Sequence, residues 1–231
     1  MASIPTSAAK REGATWPART RVSCWQCGSE HDPILFCPTC DAIQPLPEQA
    51  DHFQVLGLPR HLGIDLAALQ RRYYELHRRL HPDLHQTGPQ QARQASLRNT
   101  AAVNLAYRVL RDPIDRGEYW LALLGEGLGT NNNRVPPDLA ELVFEVQEQL
   151  EELRESSHGE NAAALKCKMC EIRGELAERR RALLQQLEDN YARWDADAAD
   201  VNVLTRQLKD LLSALAYLGT LIRDVDKELE S

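Results

Sequence analysis

Apolar residues recur at steps of three and four through most of the chain, which is the period of an amphipathic α-helix. Between residues 51 and 125, this pattern predicts a short helix capped by Asp51, a second capped by Asp65, a third that stops at Asp112, and a turn or helix from Arg116. Gly, Asn and Pro residues then indicate a linker at 126–137. Three longer helices are predicted at 138–155, 160–194 and 198–229, each with one apolar stripe, as in an antiparallel bundle.

The first fifty residues lack this helical period and are divided by composition instead. Residues 1–22 contain scattered Pro and Gly and no apolar run, so we interpret them as a flexible arm, with a transit peptide as the alternative. Residues 23–41 contain four of the six cysteines, and residues 42–50 form a short linker that contains proline. The chemistry of this region therefore depends on the cysteines.

The four early cysteines form two Cys-x-x-Cys pairs, Cys24 with Cys27 and Cys37 with Cys40. Two-residue spacing lets both thiolates of a tight turn face one ion, and two such turns complete a tetrahedral site. A segment this short cannot bury a core, so a bound metal would have to hold it. We predict a closed structural site for zinc, ahead of iron; the alternatives are two disulfides or four free thiols. His31, between the two pairs, is interpreted as a polar loop residue rather than a fifth ligand.

Charge is distributed unevenly between the two helical regions. Residues 51–125 have ten basic and seven acidic side chains, residues 126–231 have thirteen and twenty-two, and the whole chain carries −7. An acidic chain is poorly suited to binding a nucleic-acid duplex, and no apolar run has the length of a membrane span. Four arginines share the face of the second predicted helix opposite its apolar stripe, which favours an acidic partner. They are Arg71, Arg72, Arg78 and Arg79.

A third Cys-x-x-Cys pair, Cys167 and Cys170, lies within a predicted helix. Both cysteines fall on the side of the helical wheel away from the apolar stripe. A lone helical pair offers a metal only two ligands, so we interpret these residues as surface thiols; a redox or shared metal role is the alternative.

The unit at 51–125 resembles a J-domain, the module by which DnaJ-type co-chaperones stimulate DnaK-type chaperone ATPases. The matching elements are the segment Asp51–Leu58, the basic second helix, the tripeptide His81-Pro82-Asp83 at its end, and the helix that contains Asn104 to Pro113. The apolar continuation after Arg116 and the acidic three-helix region are similar to the HscB family of iron–sulfur cluster assembly co-chaperones. The tetracysteine segment resembles the longer forms of that family.

This resemblance implies an all-α fold: a J-domain helical hairpin, a C-terminal three-helix bundle at 138–231, and a small N-terminal zinc-ribbon-like module. It implies an activator of a partner ATPase and not an enzyme. His81, Pro82 and Asp83, together with the four arginines, would contact an HscA- or DnaK-type chaperone. The C-terminal helices would bind an IscU-type iron–sulfur scaffold. The family's scaffold-binding positions fall at Val143, Phe144, Gln147, Glu148, Glu151 and Tyr217.

Two departures from the family pattern predict weaker contacts. Gln147 stands where the family usually has an apolar residue, and Leu84-His85 stand where many J-domains have a lysine. Two other functions stay open: a zinc-organised interaction scaffold whose J-domain is degenerate, and a redox or metal-delivery protein that uses its cysteine pairs. The resemblance implies the cytoplasm in a bacterium or the mitochondrial matrix in a eukaryote, and it leaves open whether the bundle forms a homodimer.

Overall fold

The computed structural model describes residues 21–47, 49–128, 140–155, 160–196 and 200–230. Within these ranges the fold consists of two short strands and seven α-helices. They are β1 (Val22–Ser23), β2 (Glu30–His31), α1 (His52–Leu56), α2 (Leu66–Leu80), α3 (Gln90–Arg111), α4 (Pro113–Leu123), α5 (Ala140–Glu155), α6 (Glu160–Asp195) and α7 (Val201–Glu230). The predicted all-α class is confirmed. Most of the predicted N-terminal arm and of the 126–137 linker lies outside the described residues.

The contacts of the chain group into two compact units, which divide between Tyr119 and Trp120 inside α4. We call them the N-terminal unit and the C-terminal unit. No helix of the described residues is both long enough and apolar enough to span a membrane.

The N-terminal unit begins with a small module at residues 21–47, which we call the cysteine module. Strands β1 and β2 pair antiparallel, with Val22 opposite His31, and an isolated bridge joins Phe36 to Ile43. His31 lies in β2 and is only 5% exposed, so its interpretation as a loop residue is wrong. Its Nδ1 contacts the carbonyl oxygen of Asp32 at 2.6 Å.

Helix α1 is fixed at both ends by short-range polar contacts. The Asp51 carboxylate accepts from the Gln54 amide and the Gln54 side chain accepts from the Asp51 amide, which together form a capping box. The helix stops at Gly57, whose φ of 67° lies in the left-handed region that favours glycine. Arg72 of α2 then donates to the carbonyl of Leu56 at 3.0 Å, so it satisfies a carbonyl that the helix end leaves free.

Helices α2 and α3 form the antiparallel hairpin of the N-terminal unit. Asp65 caps α2 by accepting from the amides of Ala67 and Ala68. The core side of α2 consists of Leu69, Leu76 and Leu80, all almost fully buried. Beside this core, the Tyr73 ring stacks on Tyr107 with 4.1 Å between centroids. The hairpin thus holds the chain between the two helices at a defined end of the unit.

One helix boundary of the N-terminal unit differs from the sequence prediction. Helix α3 begins at Gln90, directly after Pro89. Helix α4 begins at Pro113, three residues before the predicted Arg116. The Asp112 carboxylate accepts from the amides at positions 114 and 115, and proline is favoured at the first helical position, so this start is well capped.

In the C-terminal unit, the apolar stripes of α5, α6 and α7 face one another, and α7 contacts both other helices. Fully buried side chains include Val146, Leu176, Leu187 and Leu208. The alternation of three and four along α7 predicts Leu211, Ile222 and Leu229 in the core. The structure leaves these three only half-buried and buries Leu212 and Leu221 instead. Adjacent leucines leave the sequence pattern ambiguous at one of these positions.

Candidate functional site

The four early cysteines converge on one point of the cysteine module. Their sulfur atoms all lie within 4.8 Å of one another, and Cys24 and Cys37 are buried. The sulfurs of Cys24 and Cys40 are 3.6 Å apart, and those of Cys27 and Cys37 are 3.7 Å apart. Four sulfurs bound tetrahedrally to zinc at about 2.3 Å would lie about 3.8 Å apart, so the cluster fits a tetrahedral metal.

The four cysteines do not form disulfides. A disulfide bond is about 2.05 Å long, whereas the Cys24–Cys40 and Cys27–Cys37 sulfurs are 3.6 and 3.7 Å apart, and all four thiols are free. Backbone amides point at the sulfurs of both pairs: Gln26 and Cys27 donate to Cys24, and Thr39 donates to Cys37. Such N–H···S contacts favour the thiolate, which is the form that binds a metal.

The thiols differ in how readily they ionise. A hydrogen bond with Ser29 lowers the pKa of Cys27. Burial opposes ionisation of Cys37, but hydrogen bonds from Ser29 and the backbone of the 37–40 turn outweigh it and lower its pKa to about 5. The Ala42 amide favours the Cys40 thiolate, yet burial and the other three thiols raise its pKa to about 12. A bound cation must therefore displace at least the proton of Cys40.

The cysteine module is joined to the α2–α3 hairpin by long-range contacts. Arg79 of α2 donates to Asp41 Oδ1 at 2.5 Å, and its guanidinium carbon lies 3.8 Å from the centroid of the Phe36 ring. Asn99 of α3 is buried and donates to the Gln44 carbonyl at 2.8 Å. No sequence motif predicts that Asp41 and Phe36 contact Arg79. The Asn99–Gln44 contact does have one sequence signal, because Asn99 is a polar residue among the apolar core positions of α3.

The predicted tripeptide forms an exposed turn at the end of α2. His81 has extended backbone, as expected for a residue before proline, and Pro82 opens a 3₁₀ helix over Pro82–His85. The Asp83 amide donates to His81 Nδ1 at 3.3 Å, and the Asp83 carboxylate accepts from Gln86 at 2.8 Å. The side chain of Asp83 is 70% exposed, so its charge is presented to solvent.

The four predicted arginines divide into two pairs. Arg71 and Arg78 are exposed, and no ion pair engages Arg78 anywhere in the described part of the chain. Arg72 pairs with Glu75 at 3.0 Å besides its bond to Leu56, and Arg79 pairs with Asp41. Arg72 and Arg79 are thus partly engaged within the chain, whereas Arg71 and Arg78 present their charges to solvent.

The predicted scaffold-binding residues lie mainly along one exposed face of α5. Phe144 is 71% exposed, and the side chains at 147, 148 and 151 are exposed beside it at helical spacing. Val143 is instead a core residue, 5% exposed, and Tyr217 on α7 is half-buried. Phe144, Gln147, Glu148 and Glu151 together form one exposed surface. It consists of an aromatic ring beside one amide and two carboxylates.

The later cysteine pair lies on the outer face of α6. Cys167 and Cys170 are both exposed and both free, as the helical wheel predicts. Within the described residues, the four early cysteines are the only cluster of three or more ligand groups that could hold a metal.

Comparisons with known proteins agree with this architecture. Residues 51–119 match the DnaJ domain family. The chain is 30% identical over 145 residues to the "Iron-sulfur cluster co-chaperone protein HscB homolog" of Arabidopsis thaliana, which covers 63% of this chain and 57% of that protein. It is 34% identical over 126 residues to the human "Iron-sulfur cluster co-chaperone protein HscB", covering 53% and 52% respectively. The matches thus span only about half the length of these relatives.

Solved structures extend the similarity to nearly the whole fold. The crystal structure of the human co-chaperone protein HscB superposes with a TM-score of 0.62 at 24% identity and covers 89% of this chain and 98% of that one. The chaperone HscB from Vibrio cholerae gives a TM-score of 0.56 at 25% identity and covers 77% and 96%. The predicted family resemblance is confirmed, as is a cysteine cluster that fits metal binding.

Proposed function

Because this chain carries a DnaJ domain and is homologous to the HscB co-chaperones, we propose that it is a co-chaperone of iron–sulfur cluster biogenesis. It binds an IscU-type scaffold through its C-terminal unit and stimulates ATP hydrolysis by an HscA- or DnaK-type chaperone through its N-terminal unit. The observation that carries the proposal is the exposed His81-Pro82-Asp83 turn at the end of a basic helix. Its place of action is the cytoplasm of a bacterium or the mitochondrial matrix of a eukaryote.

The N-terminal unit has the charges that a chaperone contact requires. Exposed Arg71 and Arg78 attract an acidic surface and raise the association rate, since complementary charge steers the encounter. Asp83 then presents a carboxylate at a fixed position, because Pro82 restricts the backbone before it and Gln86 donates to it. A carboxylate held in this way can pair with a cation of the chaperone in a charge-assisted hydrogen bond. The chaperone, and not this chain, carries out the hydrolysis.

The C-terminal unit offers a docking surface of a different kind. Phe144 exposes a large apolar ring, and Glu148 and Glu151 stand on the same face. An aromatic anchor within a polar, charged rim is typical of protein–protein interfaces. Val143 is buried and is therefore not part of this exposed surface.

The cysteine module binds one structural zinc ion through Cys24, Cys27, Cys37 and Cys40. Four protein ligands fill a tetrahedral zinc, so the ion has no open position for a substrate and supplies folding energy instead. Metal analysis of the purified protein tests this role. About one zinc per chain supports it, whereas a folded module without metal, or with iron, contradicts it.

A two-partner pull-down tests the proposed function. Immobilised full-length protein is incubated with the scaffold and with the ATP-bound chaperone in separate samples. We expect wild-type protein to capture both partners and Phe144→Ala to lose the scaffold while it retains the chaperone. Val203→Ala is the matched control, because Val203 is also an exposed apolar side chain of the C-terminal unit. Capture of neither partner by the wild type would contradict the proposal.

A further inference from the structure

Arg79 lies at the junction between the cysteine module and the tripeptide turn. Its side chain is held by Asp41 and by the face of the Phe36 ring, both of which belong to the module. Its backbone carbonyl lies 3.0 Å from His85 Nε2, at the far end of the 3₁₀ helix that begins with Pro82. Arg79 thus contacts the cysteine module through its side chain and the 3₁₀ helix of the tripeptide turn through its backbone.

The position of Asp41 depends on the metal-ligating turn. Asp41 follows Cys40 directly, and its amide donates to the Cys37 carbonyl at 2.9 Å. Its φ of 57° lies in the left-handed region, which aspartate adopts only when the surrounding structure requires it. The same turn carries two of the four sulfur ligands. A metal that closes this turn therefore holds the Asp41 carboxylate beneath Arg79.

A second set of contacts holds the module in register with α3. Gln44 donates to Cys24 Sγ at 3.3 Å, and its backbone carbonyl accepts from Asn99 at 2.8 Å. One turn before Asn99 on α3, Ser96 donates to the Leu80 carbonyl at the end of α2, at 2.6 Å. The hydrogen bonds therefore lead from a ligand sulfur to the helix end that precedes His81.

From these contacts we propose that the cysteine module competes with the acidic chaperone for Arg79 and so limits the affinity of the J-domain for that partner. This inference rests on the proposed function, because it concerns the same surface. While the ion pair between Asp41 and Arg79 is formed, Asp41 neutralises Arg79. The basic face of α2 then presents mainly the charges of Arg71 and Arg78 to the chaperone. Loss of the metal loosens the 37–41 turn, releases Arg79 and leaves its positive charge unpaired beside the tripeptide turn. Metal occupancy of the module thereby adjusts chaperone binding.

The competition predicts opposite effects for two conservative substitutions. Asp41→Asn removes the charge that holds Arg79, and asparagine tolerates positive φ, so the turn keeps its shape. We expect about a two- to fivefold tighter complex with the ATP-bound chaperone, with a steeper loss of affinity on addition of salt. Asp32→Asn is the matched control, since it removes the same charge from an exposed residue of the module that does not contact Arg79.

The test measures the affinity of the ATP-bound chaperone for four full-length proteins. They are the wild type, Asp41→Asn, Asp32→Asn and the double variant Asp41→Asn with Arg79→Ala. Metal content and circular dichroism confirm that each variant is folded and loaded. The inference predicts a gain for Asp41→Asn alone and its loss in the double variant. Equal gains for the two single variants would reveal only a long-range charge effect and overturn the inference.

Two other outcomes separate the inference from the function on which it rests. Wild-type binding with no gain for Asp41→Asn contradicts the competition alone. Absence of chaperone binding by every protein, the wild type included, contradicts the proposed function and the competition with it. If Asp41→Asn loses its metal, Phe36→Leu provides an independent check, because it removes the aromatic ring that contacts the Arg79 guanidinium. An unchanged chaperone affinity of Phe36→Leu also overturns the inference.

Discussion

The N-terminal unit and the C-terminal unit are each stabilised internally by a different kind of contact. In the N-terminal unit, buried polar groups from segments far apart in sequence meet, such as Asn99 with Gln44 and Ser96 with Leu80. The C-terminal unit is three long helices joined through apolar stripes. The N-terminal unit therefore adds specific polar contacts, each open to a single substitution, to its apolar core, whereas the C-terminal unit relies mainly on summed apolar burial.

Removal of the metal should produce the largest difference between the units. Structural zinc in small domains contributes about 10–16 kcal/mol of apparent binding free energy, and the cysteine module has too little core to fold without it. We expect Cys37→Ser, or a strong chelator, to unfold residues 21–47 and leave α5–α7 protected. Hydrogen exchange followed by mass spectrometry measures both regions at once. Full protection of the module in metal-free protein would contradict the prediction.

Truncation of a core leucine should produce a large effect confined to the C-terminal unit. Leu208 is fully buried in α7, and replacing such a side chain with alanine costs about 2–5 kcal/mol of unfolding free energy. We expect Leu208→Ala to accelerate amide exchange in α6 and α7. Val203→Ala, on the exposed side of the same helix, is the control and should change exchange little. Similar effects of the two variants would mean that α7 is packed differently.

Individual arginines of the N-terminal unit should contribute unequally to chaperone binding. Exposed Arg78 makes no ion pair in the described residues, so its whole charge is available to a partner, whereas Arg79 is already paired with Asp41. A surface charge pair is worth about 0.2–1 kcal/mol, so we expect Arg78→Ala to weaken the complex by up to about fivefold. Arg79→Ala should weaken it less. Isothermal titration calorimetry with the ATP-bound chaperone measures both, and the reverse order would contradict this assignment.

Replacement of the later cysteine pair should have the smallest effect. Cys167 and Cys170 are exposed on α6 and contribute no packing to the core. We expect Cys167→Ser with Cys170→Ser to leave metal content, thermal unfolding and scaffold capture unchanged. A lower metal content in this double variant would show that the later pair also binds metal. It would then be wrong to treat the pair on α6 as plain surface thiols and only the early pairs as ligands.

The sequence predicts those features that depend on neighbours along the chain. Helical periodicity predicted the helices that the described residues contain, with α4 given only as a turn or helix, and the caps at Asp51 and Asp65 followed from residue type alone. The metal cluster was also predictable, because two-residue spacing places each pair of sulfurs together before any tertiary contact forms. The tripeptide turn followed from Pro82, which cannot continue α2.

Features that depend on distant residues were not predictable in this way. No local pattern indicates that Asp41 meets Arg79, thirty-eight positions away, or that Arg72 bonds to the carbonyl of Leu56. Periodicity also could not choose between Leu211 and Leu212, since either satisfies a step of three or four. His31 lies opposite Val22 in a pair of two-residue strands, and strands this short leave no alternating pattern in the sequence.

The central claim is tested most directly by the ATPase rate of an HscA- or DnaK-type chaperone titrated with the full-length protein. The wild type is compared with a variant in which His81, Pro82 and Asp83 are all alanine, and Thr87→Ala, an exposed change in the same connection, serves as the control. The account predicts a saturable increase in the rate for the wild type and for Thr87→Ala and none for the triple variant. Equal stimulation by the folded triple variant would contradict it.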